Sequence, residues 1–317
     1  MKFTVTRAHT TCLAFLVLAL SACGGGEQVD QFQPTRVLAF GDEASVIDSS
    51  RRKYTVNAVP DPANPDPAAA AAAACKSNRI WAQVLANGYG LLFQECVGAV
   101  LPMEKRIWAE PEAKAADLVT QIDNFIVASG FSTKDLVTVL IGTHDIKEIY
   151  ETGGSDADAK AAGALVARQV NRIADAGAKV IVSTLPELGV TPYGIGKGAD
   201  ADLLNNLTAS FNLELLRNLT NDGRKIGLVE ADRMVRNILN APASNGYVNW
   251  TQAACVVPLP GCTDAAGDLD VDKTTTANAG QPASATTWLW ASELQLSVSG
   301  HANLGNLAGT RARNNPF

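Results

Sequence analysis

Two stretches of this chain carry side chains able to do chemistry, and both follow the same plan. Arg36-Val37-Leu38-Ala39-Phe40 runs into Gly41-Asp42-Glu43, and Asp135-Leu136-Val137-Thr138-Val139-Leu140-Ile141 runs into Gly142-Thr143-His144-Asp145. A β-compatible run that stops at glycine reads as a buried strand entering a tight turn. In a parallel α/β sheet such turns lie at the carboxyl ends of the strands, where ligands and reacting groups collect. Glu43 is the residue the first turn presents. Histidine and carboxylates at two strand ends are also plausible metal ligands, the set being Asp42, Glu43, His144 and Asp145.

Other motifs are weaker. Gly194-Ile195-Gly196-Lys197-Gly198 is glycine-rich but lacks P-loop spacing, and it reads as a loop after Pro192. Asp264, Asp268, Asp270 and Asp272 cluster near Cys262 and could attract calcium. Their spacing departs from the EF-hand loop, so a solvated loop is expected. There is no G-x-S-x-G elbow and no C-x-x-C, and His144 and His301 are the only histidines beyond the amino-terminal leader, so no structural zinc site is expected. Trp250, Trp288 and Trp290 either line a cleft or sit in the core.

The elements that must position these residues alternate. Helical spacing is present over 78–86, from about Pro111 to Ser129, over Asp156–Asp175 and from about Asp200 to Thr220. Strands are expected at Lys179–Ser183 and Ile226–Glu230, besides the two already named. Such alternation predicts an α/β fold with a doubly wound parallel sheet. Residues 49–75 are loop-like, punctuated by Pro60, Pro62, Pro65 and Pro67; the alanine run 68–74 suits either a helix start or a low-complexity insertion. Residues 241–287 are loop-rich, 300–311 look helical, and no fixed-period repeat appears.

At the amino end, Lys2 and Arg7 precede an apolar run from Leu13 to Leu20, followed by Ser21-Ala22-Cys23. This is the pattern of a secretory leader, too short to span a bilayer, and its end resembles a bacterial lipobox. The expected division is 1–22 signal peptide, 23–34 lipidated tether with Gly24-Gly25-Gly26, and 35–317 a single domain. The resemblance implies cleavage before Cys23 and acylation there, which anchors the protein to the lipid bilayer of the cell envelope, the bacterial outer membrane being the expected site. Net charge is −6. Scattered acidic charge argues against a nucleic-acid partner. Cys75, Cys96, Cys255 and Cys262 remain in an oxidising compartment, where four cysteines allow three pairings. Cys75–Cys96 and Cys255–Cys262 are favoured because each pair brackets a local segment.

Several blocks, in order, resemble the GDSL (SGNH) esterase and lipase family, especially its autotransporter-esterase and lipoprotein branch. The family's F-G-D-S-L-S-D stands here as F-G-D-E-A-S-V, beginning at Phe40. Val137–Asp145 resembles V-T-V-L-I-G-x-N-D, and Val180–Pro192 resembles V-V-V-x-N-L-P-D-L-G-x-T-P. Thr287–His301 aligns with W-A-D-x-x-H-P-T-x-x-G-H. The resemblance implies a flavodoxin-like, three-layer fold and acyl ester hydrolysis without a cofactor. It also places the family's serine at Glu43, its oxyanion glycine at Gly98, its asparagine at His144, and its aspartate and histidine at Ser292 and Gln295.

A carboxylate where an oxyanion must form raises the barrier, and losing nucleophile, base and orienter together leaves little. Ser45 is two places from the nucleophile position and projects differently, and Val298 precedes His301 where an aspartate would be needed. The expectation is a catalytically degenerate esterase that binds a small acyl or glycan ligand, or a protein partner, in the old cleft. The alternative is an active esterase rebuilt around Glu43 and His144. Because the family fold brings those two turns together, the resemblance also implies that Glu43 and His144 lie within hydrogen-bond reach.

Overall fold

The computed structural model describes residues 1, 31–97, 105–270 and 282–317. Four runs rich in aliphatic residues become strands: β1 (Arg36–Gly41), β2 (Asp135–Leu140), β3 (Lys179–Ser183) and β4 (Ile226–Val229). They form one parallel sheet in the order β1-β2-β3-β4. All six residues of β2 are buried, as an inner strand covered on both faces requires.

The free side of β1 is lined by residues 106–110, which run alongside it. The Ala39 N–H donates to the Arg106 carbonyl at 3.0 Å, and the Trp108 and Glu110 N–H groups donate to the carbonyls of Ala39 and Gly41 at 2.7 and 3.0 Å. Ala39 and Ile107 form a parallel bridge. With this irregular fifth member the spatial order becomes 2-1-3-4-5, that of a flavodoxin-like sheet, whose switch point lies at the carboxyl ends of β1 and β2.

Helices cover both faces. On one side α3 (Ala115–Ala128) packs on β1, and α5 (Asp156–Asp175) packs on β3, on α3 and on α7 (Ala201–Asn218). On the other, α2 (Trp81–Asn87) meets β1, and α9 (Val298–Asn314) meets β3, β4, α2 and α8 (Ala231–Asn240). The alanine run resolves into α1 (Pro67–Lys76): the Asp66 carboxylate caps the Ala68 and Ala69 N–H groups and Pro67 occupies the first turn. Two helices arise where none was expected, α4 (Thr143–Thr152) and α8. The Gly194–Gly198 segment is one turn of helix, α6 (Pro192–Gly196), and the turn after it.

Short strands β5 (Asn249–Ala253) and β6 (Trp288–Trp290) pair in parallel. Trp288 and Trp290 are fully buried, so they serve the core and do not line a cleft. Phe40, Trp108, Phe125 and Phe131 form an aromatic cluster on the first strand, with Phe125 and Phe131 ring centroids 4.5 Å apart.

Both expected disulfides are present, Cys75–Cys96 and Cys255–Cys262. The loop 49–66 is held at two points. Asn57 Nδ2 donates to the Lys53 and Cys262 carbonyls at 2.9 and 3.2 Å. The wholly buried Lys53 ammonium donates to the carbonyls of Cys75, Ser77 and Asn78, supplying partners at the end of α1. Residues Phe32–Phe317 close into one compact unit. Among the described residues no helix is long and apolar enough to cross a membrane. Cys23 and the leader lie outside the described residues, as does Gly98.

Candidate functional site

β1 and β2 end level with each other, with Gly41 paired to Leu140. Gly41 has φ +127°, and a Cβ there would sit 1.9 Å from the Leu140 carbonyl oxygen, so only glycine lets the chain turn. Gln121 fixes this turn from α3, accepting from the Gly41 N–H and donating to its carbonyl, both at 2.9 Å. Asp42 Oδ1 then accepts from the Ala44 N–H at 3.1 Å and starts a single helical turn, Glu43–Ser45. At the end of β2, Gly142 (φ +128°) precedes α4, which carries His144 in its first turn.

The two side chains meet. His144 Nε2 lies 2.6 Å from Glu43 Oε1. The same oxygen accepts from Gln295 Nε2 at 2.7 Å, and Glu43 Oε2 accepts from the Glu112 N–H at 3.0 Å. The Glu112 backbone is left-handed, φ +59°, which aims that N–H inward. Three elements distant in sequence therefore converge on one carboxylate: the first turn of α4, the loop before α9, and the turn before α3. The Glu43 and His144 side chains are 8% and 14% exposed, so the cluster is nearly closed to solvent.

Burial alone would raise the Glu43 carboxyl, but its bond to His144, the imidazole's charge and the Glu112 N–H outweigh it and hold the group below its ordinary value. Burial likewise works against the His144 imidazolium, yet the Glu43 bond and the nearby Glu43 and Asp42 charges hold it above. Asp42 is pushed well up by burial and by Glu43, and among the described residues its Oδ2 has no hydrogen-bond partner. Burial lifts Asp145 to about 6 although it accepts from the Ala115 N–H at 2.9 Å.

The remaining candidates fall elsewhere. Ser292 Oγ accepts from the Gln295 N–H at 3.2 Å, so this serine shapes the loop and makes no side-chain bond to a base. Ser45 is buried and accepts from Trp81 Nε1 at 3.0 Å. His301 is fully buried, its Nδ1 accepts from the Trp81 N–H, and burial lowers it to about 3, leaving a neutral ring in the core. Among the described residues no group of three or more His, Cys, Asp or Glu side chains could hold a metal ion, so Asp42, Glu43, His144 and Asp145 do not form a ligand set. Asp264 and Asp268 are spent on the chain itself, accepting from the Val59 and Thr263 N–H groups at 2.9 Å each. Asp272 lies outside the described residues.

Sequence reasoning missed Glu112, whose contribution is a backbone N–H. It also assigned Gln295 only as a lost base, whereas its amide is a donor to the central carboxylate. The sole available signal for the first was the Pro111-Glu112 turn ahead of a helix.

The sequence model of the GDSL-like Lipase/Acylhydrolase family matches residues 68–267. That span includes His144 but neither Glu43 nor the 292–295 loop. Among solved structures, the chain is similar to a lipolytic protein of the G-D-S-L family from Veillonella parvula, at 11% identity and TM-score 0.42 over 87% of this chain and 94% of that one. It is also similar to an acetylxylan esterase from Geobacillus stearothermophilus, at 12% identity and TM-score 0.44 over 89% and 96%. No curated protein matches it. With nearly two thirds of its length matched, the chain belongs to the GDSL-like lipase/acylhydrolase family.

Proposed function

We propose that this protein is a non-catalytic member of an ester-hydrolase family, an exported, lipid-anchored pseudo-esterase that uses the family cleft for binding. One observation carries the reading: the side chain at the family's nucleophile position is a carboxylate already held by His144, Gln295 and the Glu112 N–H. A hydroxyl nucleophile needs an adjacent base and an empty oxyanion pocket. Here the aligned nucleophile is an anion, the aligned base position is an amide, and the carboxylate repels a developing oxyanion. Among the described residues Ser292, at the aligned orienting position, bonds within its own loop to Gln295.

The short His144–Glu43 contact also supports a second reading, an esterase rebuilt on that pair, in which imidazole and carboxylate would act on water. Turnover of a short-chain nitrophenyl ester by the purified protein separates the two. The expected result is no turnover above the uncatalysed rate, for both the native protein and Glu43→Ala. Turnover that Glu43→Ala abolishes would establish the rebuilt site.

The anchor rests on Leu20-Ser21-Ala22-Cys23 and the basic, apolar leader before it. Acylation at Cys23 would hold the domain at the envelope membrane on a glycine tether. Metabolic labelling with a clickable fatty acid should mark the native protein and leave Cys23→Ser unmarked.

A further inference from the structure

The Glu43 cluster has the form of a ligand complex. One carboxylate takes two side-chain donors on one oxygen and a backbone donor on the other, from three elements with no sequence continuity among them. Ionised acceptors with such donor sets are how proteins hold a free acid. The donor set, an imidazole with an amide and one backbone N–H, can present a single positive charge, which suits a monoanion. A doubly charged phosphate would meet Asp42 and Asp145 beside the pocket, with no arginine among the donors to Glu43. Size is fixed by the side chain itself. The atoms of Glu43 beyond Cβ are one carbon and a carboxylate, the heavy-atom skeleton of acetate.

We infer that this pocket is a monocarboxylate-recognition site closed by the chain's own Glu43, and that acetate occupies it once that side chain is shortened. The inference rests on the non-catalytic reading in taking Glu43 as a resident group. In the native protein the tethered carboxylate is always at hand, so free acyl acids are excluded while its bond to His144 holds.

The test uses Glu43→Ala, which deletes the acetate-like fragment and keeps Cβ. Thermal unfolding is followed in sodium acetate and in sodium chloride of equal ionic strength, together with the His144 ring signals. These are resolvable because the chain has only three histidines, and His301 is buried. Acetate at about ten times its Kd should raise the Tm of Glu43→Ala by roughly 3 °C over chloride. It should also shift the His144 resonances along a saturating curve. Trimethylacetate, too wide for the vacated space, should do neither. The native protein and Glu43→Gln, whose pockets are filled, should not respond. His144→Ala added to Glu43→Ala should abolish the effect.

Should Glu43→Ala fail to fold, Glu43→Ser carries the same test. Folded Glu43→Ala or Glu43→Ser that ignores acetate, or a response equal to that of the native protein, overturns the inference. The two failures separate cleanly. Ester turnover by the native protein defeats the non-catalytic reading, whereas an inert native protein beside an acetate-blind Glu43→Ala defeats this proposal alone.

Discussion

Replacing Glu43 by alanine, His144 by alanine, and both together measures how far the two side chains depend on each other. Their side chains are 8% and 14% exposed, so solvent screens their attraction weakly. A charge-assisted hydrogen bond of this kind contributes about 1.5–3 kcal/mol net. His144→Ala removes that bond and leaves a buried carboxylate with Gln295 and the Glu112 N–H as its donors. The single variant should therefore lose about 2–4 kcal/mol, below the full penalty for an uncompensated buried charge. The double variant should lose less than the two singles together, by a coupling of about 1.5–3 kcal/mol.

The sign of the pH dependence follows from the two shifts. Glu43 titrates below its ordinary value in the fold, so its contribution is complete above the unfolded carboxylate pKa and is lost as pH falls through the lower folded one. His144 titrates above its ordinary value, so its contribution is complete below the unfolded imidazole pKa of about 6.5 and is lost as pH rises through the higher folded one. Coupling should thus be full near pH ~5.5, between the two unfolded values, and should shrink as pH rises through the folded imidazole value. Asp42, Tyr54, Glu112, Asp145 and Lys147 stand around the pair, and Asp145 titrates near 6. All are present in each of the four proteins, so the cycle subtracts whatever they contribute independently of the pair. Urea unfolding gives the four stabilities. A coupling under about 0.5 kcal/mol near pH ~5.5, or an imidazole that titrates no higher in the native protein than in Glu43→Ala, refutes the reasoning.

Glu43→Ser alone should show no esterase activity, because Gln295 supplies no base; activity is expected only with Ser292→Asp and Gln295→His added, and a single variant that turns over nitrophenyl ester would disprove this. Gly142→Ala should destabilise by about 3 kcal/mol or more, since its Cβ would lie 2.3 Å from Phe211 Cζ at φ +128°; the urea midpoint reports it, and an unshifted midpoint contradicts the turn geometry. Cys75→Ser/Cys96→Ser should lower stability by about 3 kcal/mol and Cys255→Ser/Cys262→Ser by about 2.5 kcal/mol, following the loops of 21 and 7 residues they close; equal losses in both would count against the loop-closure account.

The sheet was legible because its strands announce themselves: β2 and β3 are runs of aliphatic and β-branched residues bounded by glycine or polar turns, and they appear within a residue of their expected limits. α5 and α7 were equally visible through their spacing. α4 escaped because Ile146 is its one fully buried residue and most of the others are half-buried, so its apolar face is too narrow to assert a period. α8 had the signal, Met234, Val235 and Ile238 on one face, inside a segment too short to stand out. The strand-like segment 106–110 gave no warning, since its pairing to β1 depends on tertiary context. At the site, Glu43 and His144 could be placed from side-chain identity. Glu112 could not, because a backbone donor leaves no trace in residue type.

The sheet order also dictates when the site can exist. Arg36 at the start of β1 pairs with Asp135 at the start of β2, 99 residues further along the chain. Contacts this far apart in sequence must await closure of the whole intervening loop, and such topologies assemble slowly. The Glu43 cluster sits on that late seam and draws a further donor from Gln295, 252 residues away. A chain emerging amino end first therefore completes this pocket only after nearly all of its length is available. Occupancy of the carboxylate by its three donors requires β1, the turn before α3, α4 and the loop before α9 all to be in place.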